Sequence, residues 1–187
     1  MKRTIIVILI LIIAATAAFF WVEIDEALLK KSHPLEYGEV VENASKEYSV
    51  PKELVYAVIK TESSFKSDAK SHKGAIGLMQ ITPETYTWLC EKNKVTDVDT
   101  DRLYKPEENI IYGTMYLDYL YSRFENWENA LAAYNAGPTK VSEWIDEGRI
   151  DEYGVLNDIP YKETREYVEK VIKARDTYTQ LYFSEEN

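Results

Sequence analysis

Pro51-Lys52-Glu53-Leu54-Val55-Tyr56-Ala57-Val58-Ile59-Lys60-Thr61-Glu62-Ser63-Ser64-Phe65 is the stretch on which the reading of the fold turns. A proline at its head suits the first turn of a helix, where its fixed φ is already helical and its missing N–H has no partner to lose. Leu54, Val55, Val58 and Ile59 then recur at helical spacing. With Leu54 as the origin and roughly 100° per residue, these four centre near about 70°, and Glu62 falls near about 80°. Glu53 and Lys60 point the other way, to water. A carboxyl is thus set in the middle of a stripe expected to be buried. Loss of hydration disfavours its charged form and raises its pKa, the state a general acid working near neutral pH requires. A buried structural glutamate capped by hydrogen bonds fits the same pattern.

The residues after Glu62 favour chemistry. Ser63-Ser64 loosen the helix, and Gly74-Ala75-Ile76-Gly77-Leu78-Met79-Gln80 is a glycine-hinged loop whose backbone is expected to pass close to another group. Thr82-Pro83-Glu84-Thr85 restarts a helix, again with proline in its first turn. An acid at a helix end, facing a loop that carries a glutamine, looks like half of a sugar-binding cleft.

These residues resemble the soluble lytic transglycosylase domain of the lysozyme-like superfamily. The resemblance rests on Thr61-Glu62-Ser63-Ser64-Phe65, Ser71 and Gly74–Gln80. It continues through Asn109-Ile110 with Gly113 and Tyr116-Leu117, then Ala132-Ala133-Tyr134-Asn135-Ala136-Gly137-Pro138, then Glu163-Thr164-Arg165-Glu166-Tyr167-Val168. It spans roughly Pro34 to Tyr178. It implies that Glu62 is the catalytic acid and base, and that Ser71, Gln80, Tyr116, Tyr134 and Glu163 line the substrate groove, with Met79 and Asn135 shaping its wall. For Tyr134 packing beside Leu131 is the competing role. Glu163 also suits a first-turn acid favoured by the helix dipole.

Upstream, Thr4 to Val22 carries no charge, with Lys2 and Arg3 before it and Glu23, Asp25 and Glu26 after. At about 1.5 Å per residue it spans roughly 28 Å, near the hydrocarbon thickness of a bilayer. The charge asymmetry sets the N-terminus in the cytoplasm and the domain outside. Ala15-Thr16-Ala17 has the form of a signal-peptide cleavage site; the uncleaved anchor is favoured because Phe19-Phe20-Trp21-Val22 extends the run beyond it. The expected organisation is residues 1–22 as anchor or signal peptide, 23–33 as juxtamembrane linker and 34–187 as one catalytic domain.

A length of 187 residues fits one domain plus this appendage. The apolar share of 45% supplies a core, and 29% charged residues argue against a membrane bundle. Beyond residue 22 the chain holds 20 basic and 32 acidic residues, net −12, which argues against nucleic acid. It also removes any general attraction to an anionic wall, so affinity must come from a groove. A single cysteine, Cys90, excludes an internal disulfide and reads as buried packing. With only His33 and His72 beside it, a metal site has little support, and no cofactor is expected.

The remaining periodicities are helical. Pro34 to Tyr48 is predicted as a helix with Val40, Val41, Ala44 and Tyr48 inward. A short helix runs from Glu84 to Glu91, and residues 92–105 are a polar surface connection along the groove's edge. Pro106 opens a helix to about Phe124. Trp127, Ala130, Leu131 and Tyr134 mark the next, ended by Gly137 and Pro138. Val141, Trp144 and Ile145 mark a short one closed by Gly148. The last starts near Pro160 and carries Val168, Val171, Ile172, Tyr178 and Leu181. No long segment alternates apolar and polar, so the domain is all-α or nearly so, lysozyme-like by resemblance.

The resemblance implies cleavage of the bond between N-acetylmuramic acid and N-acetylglucosamine in peptidoglycan, closing a 1,6-anhydro ring without metal. Two alternatives stay open: a lysozyme-type hydrolase on the same fold, and a non-catalytic wall-binding component of an envelope machine.

Overall fold

The computed structural model describes Thr16, Trp21, Ile24 and residues 26–184, and the chain divides into two compact units, Met1–Pro34 and Leu35–Asn187. The apolar run of residues 4–22 lies outside the described residues apart from Thr16 and Trp21. No helix among the described residues is long and apolar enough to cross a membrane.

The second unit is helical. Its elements are α1 (Gly38–Tyr48), α2 (Lys52–Ser63), α3 (Pro83–Lys92), a 3₁₀ turn (Thr100–Tyr104), α4 (Pro106–Phe124), α5 (Trp127–Ala136), α6 (Pro138–Asp146), α7 (Lys162–Tyr178) and a closing π turn (Thr179–Phe183). Extended pairing among the described residues is confined to isolated bridges, Lys70 with Ile76, Ile76 with Ile81 and Ile150 with Leu156. The all-α reading holds.

Helix α2 runs through the centre. Leu54 to Ile59 are all buried, so the helix is enclosed on every side for six residues rather than along one stripe. It packs chiefly on α7 and also on α1, while α5 bridges α4, α6 and α7. Leu54, Val55, Val58 and Ile59 are wholly inaccessible to solvent. Truncating such a leucine or isoleucine to alanine costs about 2–5 kcal/mol, lost transfer energy plus the cavity left behind. Cys90 is likewise fully buried, with its thiol 3.6 Å from the Tyr112 hydroxyl.

Helix ends follow local chemistry. Ser63 and Ser64 do end α2, because Ser64 and Phe65 both take left-handed conformations, φ 50° and 66°, which no helix continues. Thr82 caps α3 by accepting from the Thr85 N–H at 3.1 Å, with Pro83 as first helical residue. Asn126 caps α5 by accepting from Glu128 N and Asn129 N. Pro138 both stops α5 and opens α6.

Three boundaries differ from expectation. Helix α1 starts at Gly38 rather than Pro34, since Tyr37 sits at φ 61° and breaks any continuation toward it. Pro51 lies just outside α2 in an extended conformation, its carbonyl accepting from Leu54 N and Val55 N. Helix α7 begins at Lys162, two residues past Pro160. The connection 92–105 is not only surface: its 3₁₀ turn buries Leu103 completely.

Candidate active site

Glu62 occupies the last turn of α2, where the chain turns back on itself. Two clefts meet at this side chain. One, of about 320 Å³, is lined by Glu62, Ser71, Gln80, Thr82, Tyr134 and Asn135, with His72, Lys73 and Glu163 at its mouth. The other, of about 460 Å³, is lined by Thr61, Glu62, Asn135, Glu163, Glu166 and Tyr167, among others. Glu62, Asn135 and Glu163 are shared, so the carboxyl stands beside a groove that passes it on both sides.

Burial pushes the Glu62 carboxyl up to about 7. The opposing influence is Tyr167 on α7, whose hydroxyl pulls the value down. That hydroxyl is buried and has no partner of full hydrogen-bond geometry, and the ionisable groups acting on it are the Glu62 carboxyl first and the Tyr134 hydroxyl second. Tyr167 is a site residue that sequence reasoning misses. Its spacing on α7 marks it only as core, and nothing local in the sequence shows it reaching across to α2.

The opposite wall is the loop 70–81. Ile76 and Ile81 exchange both backbone hydrogen bonds, at 3.0 and 3.1 Å, which closes the loop into a tight unit. Gln80 sits at φ 51° and donates its amide nitrogen to Gly77 O at 2.8 Å and Ala69 O at 3.2 Å. Both amide hydrogens therefore serve the loop, and the side chain offers a ligand its oxygen. Ser71 Oγ accepts from Ala75 N at 3.0 Å, leaving its proton to donate into the cleft.

The close backbone approach expected at Gly77 occurs, but its partner is internal. A Cβ on Gly77 would lie 2.2 Å from Asn109 Nδ2 and 2.4 Å from the Leu103 carbonyl. Asn109, buried on α4, accepts from Met79 N at 2.7 Å and donates to Ile76 O and Leu103 O, each at 2.8 Å. One side chain thus clamps loop, 3₁₀ turn and helix, and it fixes where Gln80 points.

Met79 shapes the wall from behind. Its side chain is fully buried against α4, where Gly113 makes room for it, and its carbonyl accepts the Tyr134 hydroxyl at 2.7 Å. Tyr134 both packs and lines the cleft, and burial together with the nearby Glu62 holds its hydroxyl well above the usual tyrosine range. Asn135 accepts from Thr164 Oγ1 at 2.8 Å, which ties α5 to the start of α7. Glu163 is a first-turn residue of α7 and also lies at the cleft mouth, paired with Lys73 at 3.4 Å. Both side chains of that pair are largely exposed, so it contributes little to stability. His72 is exposed in the same loop.

Tyr116 is the residue set apart. It lines a neighbouring cavity of about 310 Å³ rather than either Glu62 cleft, although its ring lies 5.3 Å from that of Tyr134. A further cavity, of about 400 Å³ and lined by Glu42, Lys46, Lys52, Glu53 and Phe183 among others, sets the Glu42 carboxylate between Lys46 at 2.8 Å and Lys52 at 3.2 Å. No group of histidine, cysteine and carboxylate side chains among the described residues is arranged to hold a metal. What the Glu62 cleft combines is a buried acid whose pKa is raised to about 7, a glutamine oxygen, a serine hydroxyl, an asparagine and a tyrosine ring. That set suits proton donation to an ether oxygen in a polyhydroxylated substrate.

Residues 39–154 match the family described as Transglycosylase SLT domain. The chain is 36% identical over 163 residues to the soluble lytic murein transglycosylase of Escherichia coli K12, covering 84% of this chain and 25% of that protein. It is 29% identical to the membrane-bound lytic murein transglycosylase C of Haemophilus ducreyi, covering 78% and 46%. The 70-kDa soluble lytic transglycosylase of Escherichia coli superposes with a TM-score of 0.75 at 35% identity, over 81% of this chain and 25% of that one. An inactive mutant of lytic transglycosylase Slt from Pseudomonas aeruginosa gives the same TM-score at 34% identity, again over 81% and 25%. The chain thus spans about a quarter of the length of the soluble relatives it matches. With the match running through α2, the loop 70–81 and α5, which set Glu62, Gln80 and Tyr134 in the cleft, this chain belongs to the transglycosylase SLT domain family, on its lysozyme-like all-α fold.

Proposed function

We propose that this protein is a peptidoglycan lytic transglycosylase with Glu62 as its acid and base. The observation that carries the reading is the burial of that one carboxyl, held protonated up to about pH 7 at the wall of an open groove. Protonated Glu62 donates to the oxygen joining N-acetylmuramic acid to N-acetylglucosamine, and the C–O bond breaks. The substrate's own N-acetyl group shares the positive charge at the anomeric carbon. Glu62, now a carboxylate, takes the proton of the muramyl 6-hydroxyl as that oxygen bonds to the same carbon. The acid is regenerated and no water is consumed. Ser71, Gln80, Tyr134, Asn135 and Glu163 hold the strand, while Met79 supports the wall through its carbonyl and Tyr116 extends it.

The lyase outcome is favoured over hydrolysis by the second carboxylate's surroundings. An inverting hydrolase needs a carboxylate roughly 6.5–9.5 Å from the acid to activate water. Asp68 is exposed and lines neither cleft, Glu163 is largely exposed and paired with Lys73, and Glu166, which lines the second cleft, is exposed and paired with Lys162 at 3.5 Å. Capture by the tethered 6-hydroxyl instead replaces a bimolecular step by an intramolecular one. Digested peptidoglycan is expected to yield muropeptides lighter by one water than a lysozyme's, without new reducing ends. Mass spectrometry of the digest decides, and mainly reducible products assign the protein to the hydrolases.

Tyr167 tunes the acid. Since its hydroxyl lowers the Glu62 pKa, Tyr167→Phe is expected to raise it further. The fall in kcat/KM at alkaline pH then moves to higher pH than in the parent. An unshifted or acid-shifted profile removes Tyr167 from this role.

Residues 4–22 are proposed to hold the domain at the outer face of the cytoplasmic membrane, supported by their length and flanking charges and by the membrane-bound forms among the relatives. The protein is then expected to sediment with membranes and resist extraction by salt. A mature N-terminus just after Ala17 identifies a signal peptide instead.

A further inference from the structure

In the first of the two compact units, Trp21, Ile24 and Leu28 stand exposed at 77%, 57% and 59%. Each is helical, as are residues 26–32. Intervals of three and four set the trio on one side of the helix. With Trp21 at zero and roughly 100° per residue, Leu28 falls near about −20° and Ile24 near about −60°. Glu26 and Lys30 fall near about 140° and 180°, on the opposite side. There they pair with each other at 2.6 Å, one turn apart and half exposed, as suits a solvated face. The sequence keeps the apolar spacing upstream, at Val7, Ile10, Ala14 and Ala17, so the stripe enters the run of residues 4–22 without a change of phase. Small side chains at two of those positions let helices approach closely in lipid.

Lipid covers only part of this face. The headgroup region adds about 5–8 Å beyond each edge of a bilayer's hydrocarbon. Leu28 lies six residues past Val22, and a rise of about 9 Å carries it clear of that layer on a helix along the membrane normal. Trp21 suits the interface by itself, as aromatic residues at the end of a span do. Ile24 at the margin and Leu28 beyond it call for protein. A second copy of this chain is the occupant that the anchor itself presents. Every copy is inserted in the same direction and to the same depth, so each residue of the stripe meets its own counterpart about a two-fold axis. Confinement to a membrane also raises the effective concentration of one copy around another.

We propose that Trp21, Ile24 and Leu28 form the seam of a parallel, two-fold dimer with a second copy of this chain. The inference rests on the reading of residues 4–22 as an uncleaved anchor. Lys31, the next position of the series, ends the seam, since two ammonium groups would meet there. The pairing tethers two catalytic domains to one point of the membrane, so their cuts fall on the same patch of wall.

The test uses the full chain in vesicles of phosphatidylethanolamine and phosphatidylglycerol, with lipid in large excess so that chance encounters are rare. Cysteine replaces Trp21, Ile24 or Leu28 on the stripe, and Glu26 or Lys30 on the opposite side. Cys90 is fully buried, so the parent sets the background. On mild oxidation the stripe variants are expected to give at least about fivefold more disulfide-linked dimer than Glu26→Cys or Lys30→Cys, because the bond needs Cβ atoms about 3.5–4.5 Å apart. Adding Ile24→Asp to Leu28→Cys is expected to lower that yield by about tenfold, with circular dichroism unchanged. Equal yields at every position, or none at any, in a chain that sediments with the vesicles overturn the dimer and leave the anchor. A Leu28→Cys thiol shielded from a water-soluble maleimide without forming dimers gives the stripe another cover, the chain's own domain included, and overturns the dimer too. In protein isolated from cells, a mature N-terminus just after Ala17 fails the anchor. Bonds on the stripe of that shorter chain then keep the pairing, and their absence overturns both.

Discussion

Glu62→Gln is expected to lower peptidoglycan cleavage by roughly 10²–10⁴-fold or more, because the amide keeps the shape of the carboxyl but neither donates nor takes up the proton. Both half-reactions lose their catalyst at once. Turnover on purified cell-wall material, with unchanged circular dichroism, is the measurement, and near-normal clearing by a folded Glu62→Gln protein would falsify the assignment. The same substitution has a stability signature of opposite sign. The Glu62 pKa is raised from 4.5 to about 7 on folding. Below about pH 4.5 the group is protonated in both states and contributes nothing. As pH rises from there to about 7, the unfolded chain releases the proton and the native one retains it, so stability is lost. Above that window the loss is complete and on the order of 3 kcal/mol. Glutamine never titrates. The variant is therefore expected to resist urea better than the parent at about pH 8, with the gap closing toward about pH 4. A gap that does not change with pH shows that burial does not hold this carboxyl neutral.

Gly77→Ala is expected to be the most damaging single-methyl change in the loop. Its φ of 78° is one that residues with a Cβ adopt at a cost of roughly 1–2 kcal/mol. The added carbon would also meet Asn109 Nδ2 at 2.2 Å and the Leu103 carbonyl oxygen at 2.4 Å. Neither neighbour yields easily, since Asn109 is held by three hydrogen bonds and the carbonyl is backbone. Displacing the asparagine forfeits those bonds at about 1 kcal/mol each. The sum, roughly 4–5 kcal/mol, is comparable with the whole stability of a marginal domain. Gly74→Ala is the internal control: φ is 83°, yet nothing lies within 4 Å of the added carbon. Urea midpoints of the two variants are expected to differ widely, with cleavage lost first in Gly77→Ala as Gln80 shifts. Equal midpoints mean that the Asn109 clamp does not hold this loop.

Helix α2, its acid and its end were legible in the sequence because each is local. The spacing of Leu54, Val55, Val58 and Ile59 sets the buried face, one helical turn carries it to Glu62, and two serines with poor helix propensity mark where it stops. The course of α4, from Pro106 to Phe124, was legible for the same reason. Family resemblance then supplied the groove residues that spacing could not. Tertiary structure decided what depends on distant segments meeting. The glycines of the loop signalled a close approach but not its partner, which is Asn109 across 32 positions of chain. Tyr167 stood inside a family motif with no role of its own; the packing of α7 on α2 sets its hydroxyl against Glu62. Met79 was placed in the wall by its motif; packing against Gly113 buries its side chain and leaves only its carbonyl to act. Tyr116, named with the groove, lies in an adjoining space beside Trp88 rather than in either Glu62 cleft. Periodicity specifies which face of a helix is buried; what that face meets is set by the packing of elements far apart in the chain.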